Sequence, residues 1–203
     1  MHRDRVAKTW LYRGLCDLLF AFDSDDVAFE DNARFSEIMG VEKVLKAVLL
    51  YHRHSEYEHL PLPAARSAVN RLAMGYGHKF ESMLEELSAL GLSDIERIRR
   101  DGYDGYLGHS LVEALNKGYM ETRYPIPVPV SASFPIGSMG FTHDPLSSSG
   151  MTKFVYALAN TCVFSLAQSV DLSDVRAQFQ EQFAHLESLP RFNNQFWEAR
   201  CRA

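Results

Sequence analysis

Cysteine is scarce in this chain, and the three present do not form a framework. Cys16, Cys162 and Cys201 are odd in number, far apart and without CxxC spacing. That excludes a disulfide scaffold and a thiolate zinc site, and it fits a reducing, cytoplasmic setting. Long apolar runs are missing as well. No stretch reaches the roughly 18 residues of a membrane helix, so no membrane association is expected. The opening MHRDRVAKTW carries Asp4 inside its basic cluster and has no small-residue cleavage site, which argues against a signal peptide. Positive charge is not in excess either: 21 Lys and Arg against 26 Asp and Glu leave −5, so nucleic-acid binding would need a local patch. The signatures GxSxG, GxxxxGK and GxGxxG between strand and helix are all absent. Serine hydrolase, P-loop and dinucleotide-dependent oxidoreductase chemistry therefore find no support.

What is present is helical periodicity in an otherwise ordinary globular composition, 46% hydrophobic and 23% charged over 203 residues. Trp10, Leu11, Leu15, Leu18, Leu19 and Phe22 form a stripe over 5–22 that stops in the acidic 23–26. A second stripe over 31–52 uses Phe35, Ile38, Met39, Leu45, Val48 and Leu49. On it Glu42 and Lys46 are one turn apart, expected on the exposed face. Pro61 and Pro63 place a loop before the next helix. Val69, Leu72, Tyr76, Phe80, Met83 and Leu87 continue the period over 64–90, with a kink or break expected at Gly75-Tyr76-Gly77. Ser93 and Glu96 have capping-box spacing for a short helix to Arg100. A further helix over 109–124, with Leu111, Leu115 and Tyr119 on one face, ends at Pro125. Prolines at every second position from Pro125 to Pro129 then force an extended path. Helical character resumes over 151–170 and again, with more polar residues, from Asp171 to about Pro190. The expected architecture is all-α: a helical bundle over 1–125, an extended Pro/Gly/Ser-rich connector over 126–150, and C-terminal helices over 151–203 packed on the bundle.

Few side chains in this pattern carry chemistry. Arg71 and His78 are seven apart, and on an unbroken helix they fall within about 20° of one another, away from the apolar stripe. An arginine to hold phosphate and a histidine to move a proton is one reading; a solvated face is the other. His52, His54, Glu56, Glu58 and His59 are metal-ligand types without an established ligand spacing, and Arg53 among them repels a cation, so no metal is expected. Arg97, Arg99 and Arg100 stand beside Asp94, Glu96 and Asp101, the composition of a salt-bridged surface. Lys117 and Arg123 sit where cations complement a helix C-terminus or meet a phosphate. Cys16 and Cys162 fall in apolar stripes and read as core residues.

Three stretches in sequence bring in a resemblance. Val41–Leu49 (VEKVLKAVL) resembles the second-helix signature of HEPN domains. Gly77–Leu84 (GHKFESML) is similar to the segment that follows it, and Ala114–Pro125 (ALNKGYMETRYP) to the closing helix with its RYP-like end. The resemblance covers roughly residues 5–125. It implies an up-and-down all-α core, commonly a homodimer, of the kind found in toxin–antitoxin and defence systems or beside a nucleotidyltransferase partner. Some members are metal-independent ribonucleases with an R-x4–6-H motif, and others bind nucleotides without cleaving. Carried onto this chain, the resemblance makes Arg71 and His78 the candidate catalytic pair, with no cofactor. In the family the motif normally lies in the closing helix, whereas here Arg123 is followed by YPIPVPV and no histidine. The alternative the resemblance leaves open is a non-catalytic dimeric interaction or nucleotide-binding module. Its candidate phosphate contacts would be Lys43, Lys46, Lys117 and Arg123.

Overall fold

A computed structural model describes residues 1–23, 30–123 and 148–182. Eight α-helices carry these residues: α1 (Arg3–Asp23), α2 (Glu30–His52), α3 (Leu62–Tyr76), α4 (Phe80–Ala89), α5 (Ser93–Asp101), α6 (Gly108–Arg123), α7 (Ser149–Ala167) and α8 (Ser173–Gln182). Among them there is no strand, and the fold is an all-α bundle. Neither is any of the described helices long and apolar enough to cross a membrane.

The organising pair is α1 against α2, antiparallel, with Lys43 bonded to Asp17 within a turn of the point of closest approach and the Arg3 amide to Glu58 just past one end. Their axes approach closely because each contributes a glycine at the crossing. A Cβ on Gly14 would lie 2.7 Å from the Gly40 carbonyl oxygen, and one on Gly40 would lie 2.9 Å from that of Gly14. Leu11, Leu15 and Leu18 of α1, with Val41, Val44, Leu45 and Val48 of α2, are fully buried around this crossing. The same apolar cluster takes in Phe80, Met83 and Leu87 of α4, Ile95 of α5, Leu111 and Leu115 of α6 and Val175 of α8. It also takes in α7, whose Met151, Phe154, Val155, Leu158, Ala159 and Cys162 are fully buried. A half-buried Arg34 ties α2 to α7 by bonding both the buried Glu37 (2.5 Å) and Thr152 (2.8 Å). A smaller cluster seats α3 on the end of α2: Val6, Leu50, Tyr57, Ala65, Ala68, Val69 and Leu72, with the Tyr57 hydroxyl donating to the Leu50 carbonyl at 2.8 Å.

Local chemistry sets the helix ends. Pro63 occupies the first turn of α3, where its missing N–H has no intrahelical acceptor to lose. Gly77 stops the same helix in the left-handed region at φ +55, its N–H bonded to the Met74 carbonyl. Ser148 caps α7, accepting from the Met151 amide at 3.1 Å. The capping box expected at Ser93 does not form. Ser93 is already the first helical residue of α5, Leu92 takes the cap position, and no side chain bonds there. Between α5 and α6 the chain turns through Tyr103–Tyr106, which exchange two backbone hydrogen bonds. Asp104 of this turn reaches α7, accepting from Ser149 Oγ (2.6 Å) and Lys153 Nζ (2.7 Å). Of the connector expected over 126–150, all but residues 148–150 lie outside the described residues, as do the segment after 182, Pro190 and Cys201.

Candidate functional site

The α3–α4 turn carries a histidine whose surroundings are unlike those of the other described histidines. His78 Nδ1 lies 2.6 Å from Glu42 Oε2. The other carboxylate oxygen of Glu42 accepts from Lys46 Nζ at 2.6 Å, and Lys46 also donates to the Gly77 carbonyl at 2.8 Å. Glu42 and Lys46 are therefore not on an exposed face, as their spacing alone predicts: they are 3% and 5% exposed, facing the turn rather than water. An ionised carboxylate can only accept, so Nδ1 is the donor in this contact, and in the neutral imidazole Nε2 then holds the free lone pair. The imidazole stacks on Tyr119 of α6, ring centroids 3.4 Å apart and planes 18° from parallel, and Tyr119 in turn meets Phe35 at 5.9 Å. The His78 side chain stays 37% exposed.

Two further contacts hold the turn. Asn116 of α6 accepts from the Phe80 amide at 2.9 Å, satisfying the first N–H of α4. Tyr76, at the end of α3, accepts from Arg53 at 3.0 Å and donates to Glu86 of α4 at 2.9 Å. Burial is the main reason its phenol is pushed up to about 12, so it remains a neutral donor to that carboxylate. His78 is thus held directly from α2 and α6, on a backbone braced at both sides by the Tyr76–Glu86 and Phe80–Asn116 bonds.

Of the residues singled out in the sequence, Lys46 and His78 meet through Glu42. Arg71 does not join them. The alignment of Arg71 with His78 needs continuous helix, and α3 ends at Tyr76 with the φ of Gly77 turning the chain away. Arg71 is exposed on α3 and makes no hydrogen bond or ion pair among the described residues. Lys43 is held by Asp17 across the α1–α2 crossing. Lys117 is exposed and bonded to Glu113 one turn earlier at 2.5 Å. The side chain of Arg123 lies outside the described residues. The arginines of α5 are salt-bridged: Arg97 to Asp94, Arg100 to Asp101, and Arg99 to Glu96 on its own helix and Glu81 on α4. Among the described residues no three His, Cys, Asp or Glu side chains come close enough together to hold a metal ion; His54 Nε2 approaches Glu58 only to 4.0 Å. Cys162 is buried and its thiol pushed far up by desolvation. Cys16 is half-buried and raised for the same reason.

Sequence reasoning missed Glu42 and Tyr119 as parts of the site. Glu42 reads as half of an i,i+4 surface pair, and Tyr119 as one more residue of an apolar row. Only the packing of α2, α6 and the turn makes them neighbours. Comparison with models of protein families, with curated proteins and with solved structures returns no match to this chain.

Proposed function

We propose that this chain is a HEPN-like protein that binds RNA and cleaves it without a metal, with His78 as the general base. The carrying observation is the His78–Glu42 pair: a half-exposed imidazole whose Nδ1–H is held by a buried carboxylate, leaving Nε2 to accept a proton. A carboxylate behind a histidine fixes tautomer and ring orientation and stabilises the imidazolium that forms on proton transfer. Nε2 would take the ribose 2′-hydroxyl proton as its oxygen attacks the adjacent phosphorus, and the same histidine would return a proton to the leaving 5′-oxygen. Arg71, exposed and apart from His78 within one chain, is the candidate for stabilising the phosphorane charge across a homodimer, in which a second copy would bring its own Arg71 to this His78. A toxin–antitoxin or other defence setting follows from the HEPN resemblance alone, and an antitoxin or nucleotidyltransferase partner goes with it.

A second reading, a non-catalytic dimeric HEPN-like interaction or nucleotide-binding module, is favoured by one specific observation. Lys46 bonds both Glu42 and the Gly77 carbonyl, so the network closes the α3–α4 turn without any substrate. Cleavage of a mixed-sequence RNA in EDTA by the parent, His78→Ala and Arg71→Ala separates the two. Loss of cleavage in both variants supports the catalytic reading. Equal rates in all three remove it, and no cleavage by any of them leaves the module, tested next by the melting temperature with nucleotides.

A further inference from the structure

The basic cluster of the first thirteen residues finds a place that the site around His78 does not use. Between the N-terminal half of α1 and the start of α8 lies a cleft of about 610 Å³, walled on one side by Arg5, Lys8, Thr9, Tyr12 and Arg13 and on the other by Asp174. At 100° per residue these five α1 positions occupy one arc, facing away from the Leu11/Leu15/Leu18 core. Each acidic group of the cleft has a cation beside it: Asp174 accepts from Lys8 at 2.8 Å, and Asp4 lies 3.8 Å from Arg3. The guanidiniums of Arg5 and Arg13 make no hydrogen bond or ion pair among the described residues, and both residues are exposed; the Arg5 carbonyl accepts from Thr9 Oγ1 within α1. In a chain of net charge −5, two uncommitted guanidiniums bracketing an aromatic ring in one cleft form a local field of the opposite sign.

We propose that this α1–α8 cleft binds the sugar–phosphate backbone of a single-stranded nucleic acid, Arg5 and Arg13 each holding a phosphate. The spacing selects a polymer over a mononucleotide. Eight helical residues separate the two arginines by about 12 Å along the axis, opposite roughly three phosphates of a strand. Guanidinium forks suit phosphate oxygens, and a positive groove lined by an aromatic side chain is the general recipe for holding single strands without sequence readout. The four cations named from the resemblance are poorer candidates where they can be judged, since Lys43, Lys46 and Lys117 are all held by carboxylates. The assignment rests on the RNA reading above for the identity of the strand alone; the residues are different.

Fluorescence anisotropy with a labelled single-stranded RNA of about twelve nucleotides, over a range of salt, tests it on four proteins: the parent, Arg5→Ala/Arg13→Ala, His78→Ala and Arg97→Ala/Arg100→Ala. The last removes the same charge from the exposed face of α5. The cleft variant is expected to lose affinity on the order of tenfold or more, and its salt slope to become shallower by about 1.4, at roughly 0.7 per single-strand phosphate contact. The α5 variant is expected to match the parent. Unchanged binding and slope in the cleft variant overturn the proposal, as does an equal loss in the α5 variant, which would reduce the effect to net charge. Binding that survives in the cleft variant but fails in His78→Ala overturns the cleft and keeps the His78 reading. The converse, with His78→Ala cleaving as fast as the parent, keeps the cleft and removes the catalytic reading. A parent that binds no RNA at low salt overturns both.

Discussion

Replacing Gly40 by alanine and replacing Gly75 by alanine are the same chemical change, and they are expected to move stability in opposite directions. Both residues are helical, so each gains up to about 1 kcal/mol of helix propensity, less for Gly75 because it stands next to the end of α3. At Gly75 nothing lies within 4 Å of the added methyl, and the gain of about 0.5 kcal/mol stands alone. At Gly40 the methyl would meet Leu18 Cγ at 2.7 Å and the Gly14 carbonyl oxygen and Leu18 amide at 2.9 Å. Two of those three atoms are backbone, so relief requires α1 to move off α2, not a rotamer change. Overpacking of this kind costs about 1–3 kcal/mol, and a shift of the main helix pair belongs at the upper end, leaving a net loss of about 1–2 kcal/mol. Urea unfolding reads both as changes in midpoint at constant slope, and by heat each kcal/mol is worth about 2–4 °C in a chain of this size. Gly14→Ala meets the same crossing, so the double variant should cost less than the sum of the singles, because one displacement serves both methyls. A Gly40→Ala protein as stable as the parent would refute the α1–α2 packing described above.

Glu42→Ala should destabilise by about 3–5 kcal/mol in urea, because it strands the buried ammonium of Lys46; Glu42→Leu with Lys46→Met should recover most of that loss, and a double variant no better than the single would show that the ion pair is not the cause. In a Cys201→Ser background, Ellman's reagent should modify Cys16 slowly and Cys162 only on unfolding, since burial raises both thiols and encloses Cys162 completely. Lys153, then Ser149, holds the Asp104 carboxyl below its ordinary 3.8; the stabilisation is present above that value and lost as the pH falls towards the folded one, so Asp104→Asn should flatten the acid limb of the stability profile below about pH 4. Partial desolvation, then the neighbouring His54 and Arg3, lowers the exposed His52, so its protonation opposes folding; stability should decline as the pH drops below 6.5, and His52→Gln should remove that part of the decline, measured by melting temperature.

Much of the fold is legible in the sequence because its signals are periodic and local. The stripes over 5–22 and 31–52 lie within α1 and α2. Gly75-Tyr76-Gly77 marks the break between α3 and α4, since glycine at positive φ is a property that the residue itself announces. The site is less legible, for three physical reasons. A heptad projection is valid only on continuous helix, so the turn that exposes His78 is also what separates it from Arg71. An i,i+4 Glu–Lys pair looks the same whether solvent or another helix covers it, and here the α3–α4 turn lies against Glu42 and Lys46. Finally, a basic N-terminal run invites comparison with a leader, and only the packing of α8 beside α1 turns it into one wall of a cleft.

Because α7 lies in the same apolar cluster as α1 and α2, the chain between residues 123 and 148 joins two parts of one interior. A protein cut within 124–147 becomes a two-fragment system, its halves held by the buried face of α7, the Arg34–Thr152 bond and the Asp104–Lys153 bridge. Severing makes the association bimolecular, so its extent follows the concentration of the two halves. Co-expressed as separate polypeptides, 1–123 and 148–203 would reconstitute the bundle in a concentration-dependent way, which makes this chain a natural split reporter.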